Sequence, residues 1–300
     1  MAENKRVFFI INKYSGTGYL PSVEGKIITE CGKYNYECTI EFTRSRGHAT
    51  ELARQAVAEK FDLVFAVGGD GTVNEVAQGL INTGIPMGIL PKGSGNGLAR
   101  HLGIPMSFPK ALELLHSTNI IDMDTISVND KLSVNVSGIG FDGHVAGLFG
   151  RNGKRGLLGY GKLVLKEFIR YAEFPATLTL DGELFERSAF IIALANSSQF
   201  GNNAQVAPQA SVCDGVLDVC IIKKVPVHHS IGFTRKMFTG QLDSSAFVEI
   251  RKAKKIVVDF PIPMAYHIDG EAMEPLSKFE IGIFPGSLKM VVPEGPKTKV

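Results

Sequence analysis

The chain of 300 residues is long enough to bury a large core and to form one big domain or two ordinary ones. Its net charge of +2 at pH 7 excludes the strongly basic balance of a nucleic-acid-binding domain, so no nucleic-acid partner is expected. Four cysteines without a C-x-x-C pair argue against zinc and disulfides, and no apolar run approaches the roughly 20 residues of a membrane-spanning helix, so a cytoplasmic chain with idle thiols is expected.

Up to about residue 120 strands and helices alternate. "RVFFII" is followed by a helix after Pro21, then by "ECTIEFT", a helix from Gly47 to Lys60, "DLVFAV", a further helix, and "MGIL". In the Gly47 helix the 3.6-residue period runs through Ala49, Leu52, Ala53, Ala56 and Val57,. Leu63–Val67 is continuously apolar, as in a parallel strand covered on both faces,. The period then changes, with Val73, Val76, Ala77, Leu80 and Ile81 forming one helical stripe and Thr72 placed to cap it,. This pattern predicts a doubly wound, mostly parallel α/β sheet whose ligands gather beyond the carboxyl ends of its strands. Past residue 120 longer alternating strands, with "VNDKL" and "LDGEL" as hairpin turns, predict a second, mostly antiparallel β-rich domain,. The expected division is 1–124, joined by a returning strand at about 286–300, against 125–285, with the active cleft between the two domains.

Four small or polar loops fall on one edge of the first sheet: "NKYSGTG", "TRSRGHA", "GGDGT" and "PKGSGNG". A glycine-rich strand-to-helix turn leaves backbone N–H groups and the positive end of a helix dipole free to meet a phosphate. Asp70, held among Gly68, Gly69 and Gly71, would repel that phosphate unless a cation lies between them. Mg²⁺, which takes oxygen ligands and shares them with nucleotide phosphates, is the economical choice. The loop has neither G-x-G-x-x-G nor G-x-x-x-x-G-K-[ST], so neither a dinucleotide fingerprint nor a P-loop is present.

Taken together, "NKYSGTG", "GGDGTVNEV", "PKGSGNGLAR", "GIGFDG", "VAPQASVCDGVLDV" and "HIDGE" resemble, in order and over nearly the whole chain, the diacylglycerol kinase and sphingosine kinase superfamily of lipid kinases. The resemblance implies transfer of the γ-phosphate of ATP to a lipid hydroxyl with Mg²⁺. Gly68, Gly69, Gly71 and Thr72 would hold the phosphates, with Asn12, Ser15, Thr43, Ser94 and Asn96 around the nucleotide. Asp269 would be the base that receives the hydroxyl proton, and Glu271 would act with Asp70 through the catalytic Mg²⁺ or a water network. If "DGE" is extended, Asp269 and Glu271 share a face; the plain alternative is an Asp-Gly hairpin turn. Asp214 and Asp218 resemble a structural Mg²⁺ site, and Lys154 and Arg155 a pair of phosphate contacts.

The chain departs from the family at Lys13, where proline is usual, and at Gly97 and Ser94, where bacterial diacylglycerol kinases tend to carry aspartate and threonine. These departures resemble the sphingosine-kinase-like "GSGN" branch and remove one carboxylate of the diacylglycerol kinase metal network, which weakens diacylglycerol against a sphingoid base as the expected acceptor. The rival readings are an NAD kinase or phosphofructokinase, which also use a GGDG turn, and a catalytically silent lipid-binding protein on the same fold. The expected partner is a membrane lipid, met by peripheral contact, and a homodimer is compatible with the sequence. For that contact the segment 156–174 sets Lys162, Lys166 and Arg170 in one stripe beside Leu158, Leu165 and Ile169,.

Overall fold

A computed structural model describes residues 4–16, 22–152, 164 and 166–294. They divide into two compact units. One runs up to Thr125 and includes Val212–Asp214 and the segment from Pro285 onward; the other comprises Ile126–Ser211 and Gly215–Phe284.

The first unit carries β1 (Arg6–Ile11), α1 (Ser22–Lys33), β2 (Glu37–Phe42), α2 (His48–Ala58), β3 (Leu63–Gly68), α3 (Asp70–Leu80), β4 (Met87–Pro91) and the short helices α4 (Gly97–His101) and α5 (Phe108–Leu112); β5 (Ile120–Val128) leads into the second unit, where it pairs with β6 (Lys131–Ser133). The strands lie in the order β2-β1-β3-β4, all neighbours parallel. Every residue of β3 is buried, as expected where helices cover both faces of a parallel sheet. Phe9 stacks on Phe65 at 5.2 Å between ring centroids. Helix α2 buries Ala49, Leu52, Ala53 and Ala56, and α3 buries Val73, Val76, Ala77 and Leu80, so both apolar stripes face the core. Gly79 lets the two helices touch, since a Cβ there would stand 2.5 Å from that of Ala53.

Thr72 does not cap α3. The helix begins at Asp70 behind Gly69, and the Thr72 hydroxyl in the first turn accepts a hydrogen bond from Asn12 Nδ2 at 3.1 Å. The C-terminal segment is tied to this unit: Ser117 Oγ donates to the Val292 carbonyl at 2.7 Å and Asn119 Nδ2 to that of Pro293 at 3.1 Å.

The second unit is mostly antiparallel. Its central strands are β7 (Val136–Gly140), β10 (Ile191–Ala195), β11 (Leu217–Ile222), β12 (Val248–Ala253), β13 (Lys255–Ile268) and β14 (Glu271–Val291, whose end belongs to the first unit). They lie in the order β12-β11-β10-β7-β13-β14, and β8 (Phe174–Leu180) with β9 (Glu183–Ala189) extends from β13. Helix α6 (Phe141–Asn152) follows β7 directly. The β8–β9 turn has Asp181 at φ 49° and Gly182 at φ 94°, the left-handed pair that a two-residue hairpin needs.

Candidate active site

Three of the four loops expected at the carboxyl edge of the first sheet close on one another. The Lys92 N–H donates to the Gly68 carbonyl at 2.8 Å, and Lys92 Nζ to the Ser15 carbonyl at 3.0 Å. Burial holds the Lys92 ammonium below its ordinary pKa,. A Cβ on Gly93 would lie 2.6 Å from Gly69 Cα, and one on Gly16, at φ 65°, would lie 2.0 Å from the Lys92 carbonyl oxygen. Only glycine permits backbones to approach this closely.

Asn96 sits in the left-handed region at φ 52° and clamps the loop. Its Oδ1 accepts from the Gly93 N–H at 2.9 Å and its Nδ2 donates to the Gly93 carbonyl at 2.8 Å. Asp70 joins this loop to α3: its two oxygens accept the N–H groups of Asn96 at 2.9 Å and Gly97 at 2.7 Å. The carboxylate among the glycines thus serves the protein's own backbone first. A carboxylate oxygen is the kind of ligand Mg²⁺ takes, so the chemistry of Asp70 beside the glycine loops fits a Mg²⁺ ion that would share its shell with water and phosphate.

Asn12, Ser15, Gly68, Gly69, Thr72 and Asn96 are therefore gathered in one cluster. Ser94 is exposed at its rim, and Thr43, at the end of β2, donates its N–H to the Ile11 carbonyl at 3.0 Å. Lys13, at the departure from proline, lies over the Phe42 ring at 3.7 Å, which fixes the first loop by a cation–π contact. Glu75, which no local pattern singles out, holds the remaining loop, accepting the N–H groups of Gly47 at 2.9 Å and Ala49 at 3.2 Å.

In the second unit "DGE" is not extended. Asp269 at φ 49° and Gly270 at φ 86° form the β13–β14 turn, so the shared-face argument for Asp269 and Glu271 fails. Left-handed residues reverse the chain, and the alternation of side chains ends there. What distinguishes this turn from its counterpart at Asp181 is its surroundings. The Asp181 carboxylate is exposed and accepts the N–H groups of Lys254 and Lys255. That of Asp269 is buried and accepts from Ser133 Oγ at 2.6 Å, the Val134 N–H at 2.9 Å and the Asn135 N–H at 3.0 Å. Around it lies a buried polar network: Ser137 Oγ donates to Ser133 Oγ at 3.0 Å, and Ser197 Oγ donates to Asn135 Oδ1. Polar groups are buried in such density only when each finds a partner. Glu271 is exposed at the start of β14.

Two further residues frame this turn. The Gly270 N–H donates to His267 Nδ1 at 3.1 Å, and the other ring nitrogen, Nε2, faces Asp142 Oδ2 at 3.3 Å. Gly138 makes room for the pair, because a Cβ there would fall 1.7 Å from Asp142 Oδ2. Burial, reinforced by Asp142, pushes the Tyr171 hydroxyl up to about 12.

Asp214 is exposed, and it joins Asp124 and Asp122 in reinforcing the effect of burial on the Cys213 thiol, pushed up to about 11. Asp218 is buried on β11, 3.8 Å from Lys252 Nζ. Among the described residues no group of three or more His, Cys, Asp or Glu side chains stands together as a ready-made metal cage. Lys154, Arg155, Leu158, Lys162 and Leu165 lie outside the described residues.

The model of the Diacylglycerol kinase catalytic domain matches residues 6–128, and that of the YegS C-terminal NAD kinase beta sandwich-like domain matches residues 135–292. The chain is 30% identical to a diacylglycerol kinase of Mycobacterium tuberculosis, with 97% of this chain and 96% of that one covered. The chain belongs to the diacylglycerol kinase and YegS-like family of lipid kinases. As a member it is a kinase with an alcohol group as acceptor. It is also 28% identical to the diacylglycerol kinase of Bacillus subtilis, over 89% of this chain and 90% of that one. A diacylglycerol kinase structure from Bacillus anthracis shares the fold, with a TM-score of 0.75 at 22% identity and 98% of both chains covered. Among the described residues no helix is long and apolar enough to cross a membrane.

Proposed function

We propose that this enzyme transfers the γ-phosphate of ATP, with Mg²⁺, to the hydroxyl of a membrane lipid, a diacylglycerol or a sphingoid base. The observation that carries the reading is the closure of the glycine loops after β1, β3 and β4 around Asp70. Together they form a rigid, N–H-rich edge of the kind that receives phosphates.

Phosphoryl transfer through a loose transition state asks a protein mainly for positioning and charge neutralisation. Asp70 would hold Mg²⁺, which when bound supplies the charge that neutralises phosphate oxygens. Glu271 would contribute through water. Asn12 and Thr72 keep the first two loops in register, and Lys92 supplies a fixed cation beside them. Asp269, whose three hydrogen bonds hold its carboxylate in one orientation, would align the lipid hydroxyl and receive its proton.

The test is incubation of the purified protein with labelled ATP, Mg²⁺ and separate micelles of diacylglycerol, sphingoid base, ceramide and monoacylglycerol. A labelled lipid that disappears when Mg²⁺ is chelated supports the reading. Label transferred only to NAD or to a sugar phosphate would replace it.

A further inference from the structure

The stretch from Val219 to Leu242 contains Lys223, Lys224, His228, His229, Arg235 and Lys236 and no aspartate or glutamate. It leaves β11 and forms the helix α7 (Ser230–Phe238). That helix is apolar on two sides. Phe233 and Met237, one turn apart, pack against the core beside Val206 and Leu242. On the outward side Ile231 is 85% exposed and Phe238 50%, with the exposed Arg235 between them at helical spacing. Val227, one turn before Ile231, is 71% exposed.

A second segment is tied to this stretch through Lys224. Lys224 Nζ donates to the carbonyls of Ile169 at 3.0 Å and Tyr171 at 2.6 Å, and Ile169 is itself 61% exposed between the exposed Lys166 and Arg170. The carboxylates that adjoin these cations are engaged by neighbours. Glu173 accepts the Lys224 N–H at 2.7 Å and Ser188 Oγ at 2.8 Å, and Glu167 lies 3.0 Å from His144 Nε2. Single exposed apolar side chains are ordinary, but several in two tied segments, interspersed with exposed cations, mark a surface that meets something.

We propose that Val227, Ile231 and Phe238 on α7, with Ile169, form the surface by which this kinase docks on a bilayer containing anionic lipids. The apolar side chains would enter the acyl boundary while Lys166, Arg170, Lys223 and Arg235 lie among the headgroups. The choice of a bilayer over a protein partner rests on the interspersed cations and on the lipid acceptor of the proposed function, on which this inference depends. None of these residues belongs to the phosphate loops or to the Asp269 network.

The experiment is sedimentation with phosphatidylcholine vesicles, with and without phosphatidylserine, using the full chain without ATP. The wild type should bind the mixed vesicles and only weakly the neutral ones. Lys223→Gln with Arg235→Gln should weaken binding about 30-fold, at the usual contribution of each surface cation. Val227→Asp with Ile231→Asp should weaken it at least tenfold, by the order of magnitude expected for two buried apolar anchors. Both variants should keep the wild-type Tm and the wild-type rate on micelle-dispersed acceptor. Wild-type binding that is absent, or unchanged in both variants, would overturn the proposal. So would sedimentation velocity showing a dimer that Ile231→Asp dissociates. Because the assay needs no turnover, docking and the kinase reaction can fail separately.

Discussion

Replacing Asp70 by Asn tests the carboxylate that joins α3 to the loop after β4. The side chain keeps its shape, but one oxygen that accepts a backbone N–H, from Asn96 at 2.9 Å or Gly97 at 2.7 Å, becomes an NH₂ group facing a donor. The loss of one charge-assisted hydrogen bond and the stranding of a buried N–H overlap, and together they cost about 2–3 kcal/mol. At about 2–4 °C per kcal/mol, thermal unfolding should shift down by roughly 4–12 °C. On the proposed function the variant also loses the negative charge that would hold Mg²⁺, so turnover should fall by about two orders of magnitude or more. Differential scanning calorimetry and a labelled-ATP assay across a Mg²⁺ titration measure both quantities on one preparation. A variant with wild-type Tm and wild-type turnover would refute the role of Asp70. A lowered Tm with normal turnover would leave it a structural cap for the loop and remove it from the chemistry.

Asp269→Ala should lose about two to four orders of magnitude in rate while ATP affinity, measured by equilibrium dialysis, stays at the wild-type value; equal losses of both would make Asp269 a nucleotide or metal ligand. Gly93→Ala drives a Cβ to 2.6 Å from Gly69 Cα and 2.8 Å from Asn96 Oδ1, which should destabilise the fold by about 1–3 kcal/mol and weaken ATP binding, as calorimetric titration would show. The pH dependence of stability should carry the signature of Glu249, whose pKa is lowered from 4.5 to about 2 by hydrogen bonds from Arg187 and Arg251 that outweigh its partial burial. A depressed carboxyl contributes stability that is full above its unfolded value and is lost as pH falls through the folded one. Glu249→Gln should therefore flatten the denaturant midpoint between pH 4.5 and about 2, and an unchanged profile there would count against that pair of contacts.

How far the sequence reveals this molecule depends on the range of the interactions involved. The β3–α3 unit is legible because a continuous apolar strand, a glycine turn and a 3.6-residue stripe are all local signals. The hairpin at Asp181 is legible because aspartate and glycine tolerate the left-handed region better than most residues. Thr72 misleads for the opposite reason: by local chemistry it is a good cap, but its hydroxyl is engaged by Asn12, 60 residues away in sequence. Glu75 gives no local sign that it holds the N-terminus of α2. At "DGE" the tripeptide is the same as at Asp181 to Glu183, and the difference lies in Ser133, Val134 and Asn135, well over a hundred residues upstream. The same holds for the His267–Asp142 pair, which depends on the missing side chain of Gly138. The loops expected to meet phosphate were thus readable one by one, while the contacts that lock them together were not.

The most direct test of the central claim is the transfer of label from γ-labelled ATP to lipid by the wild type, Asp70→Asn and Asp269→Ala proteins, followed by chromatography of the lipid extract. The account predicts a phosphorylated lipid that requires Mg²⁺ with the wild type and only trace product with either variant, while ATP binding survives in Asp269→Ala. No labelled lipid from any acceptor of the panel, or equal product from all three proteins, would contradict it.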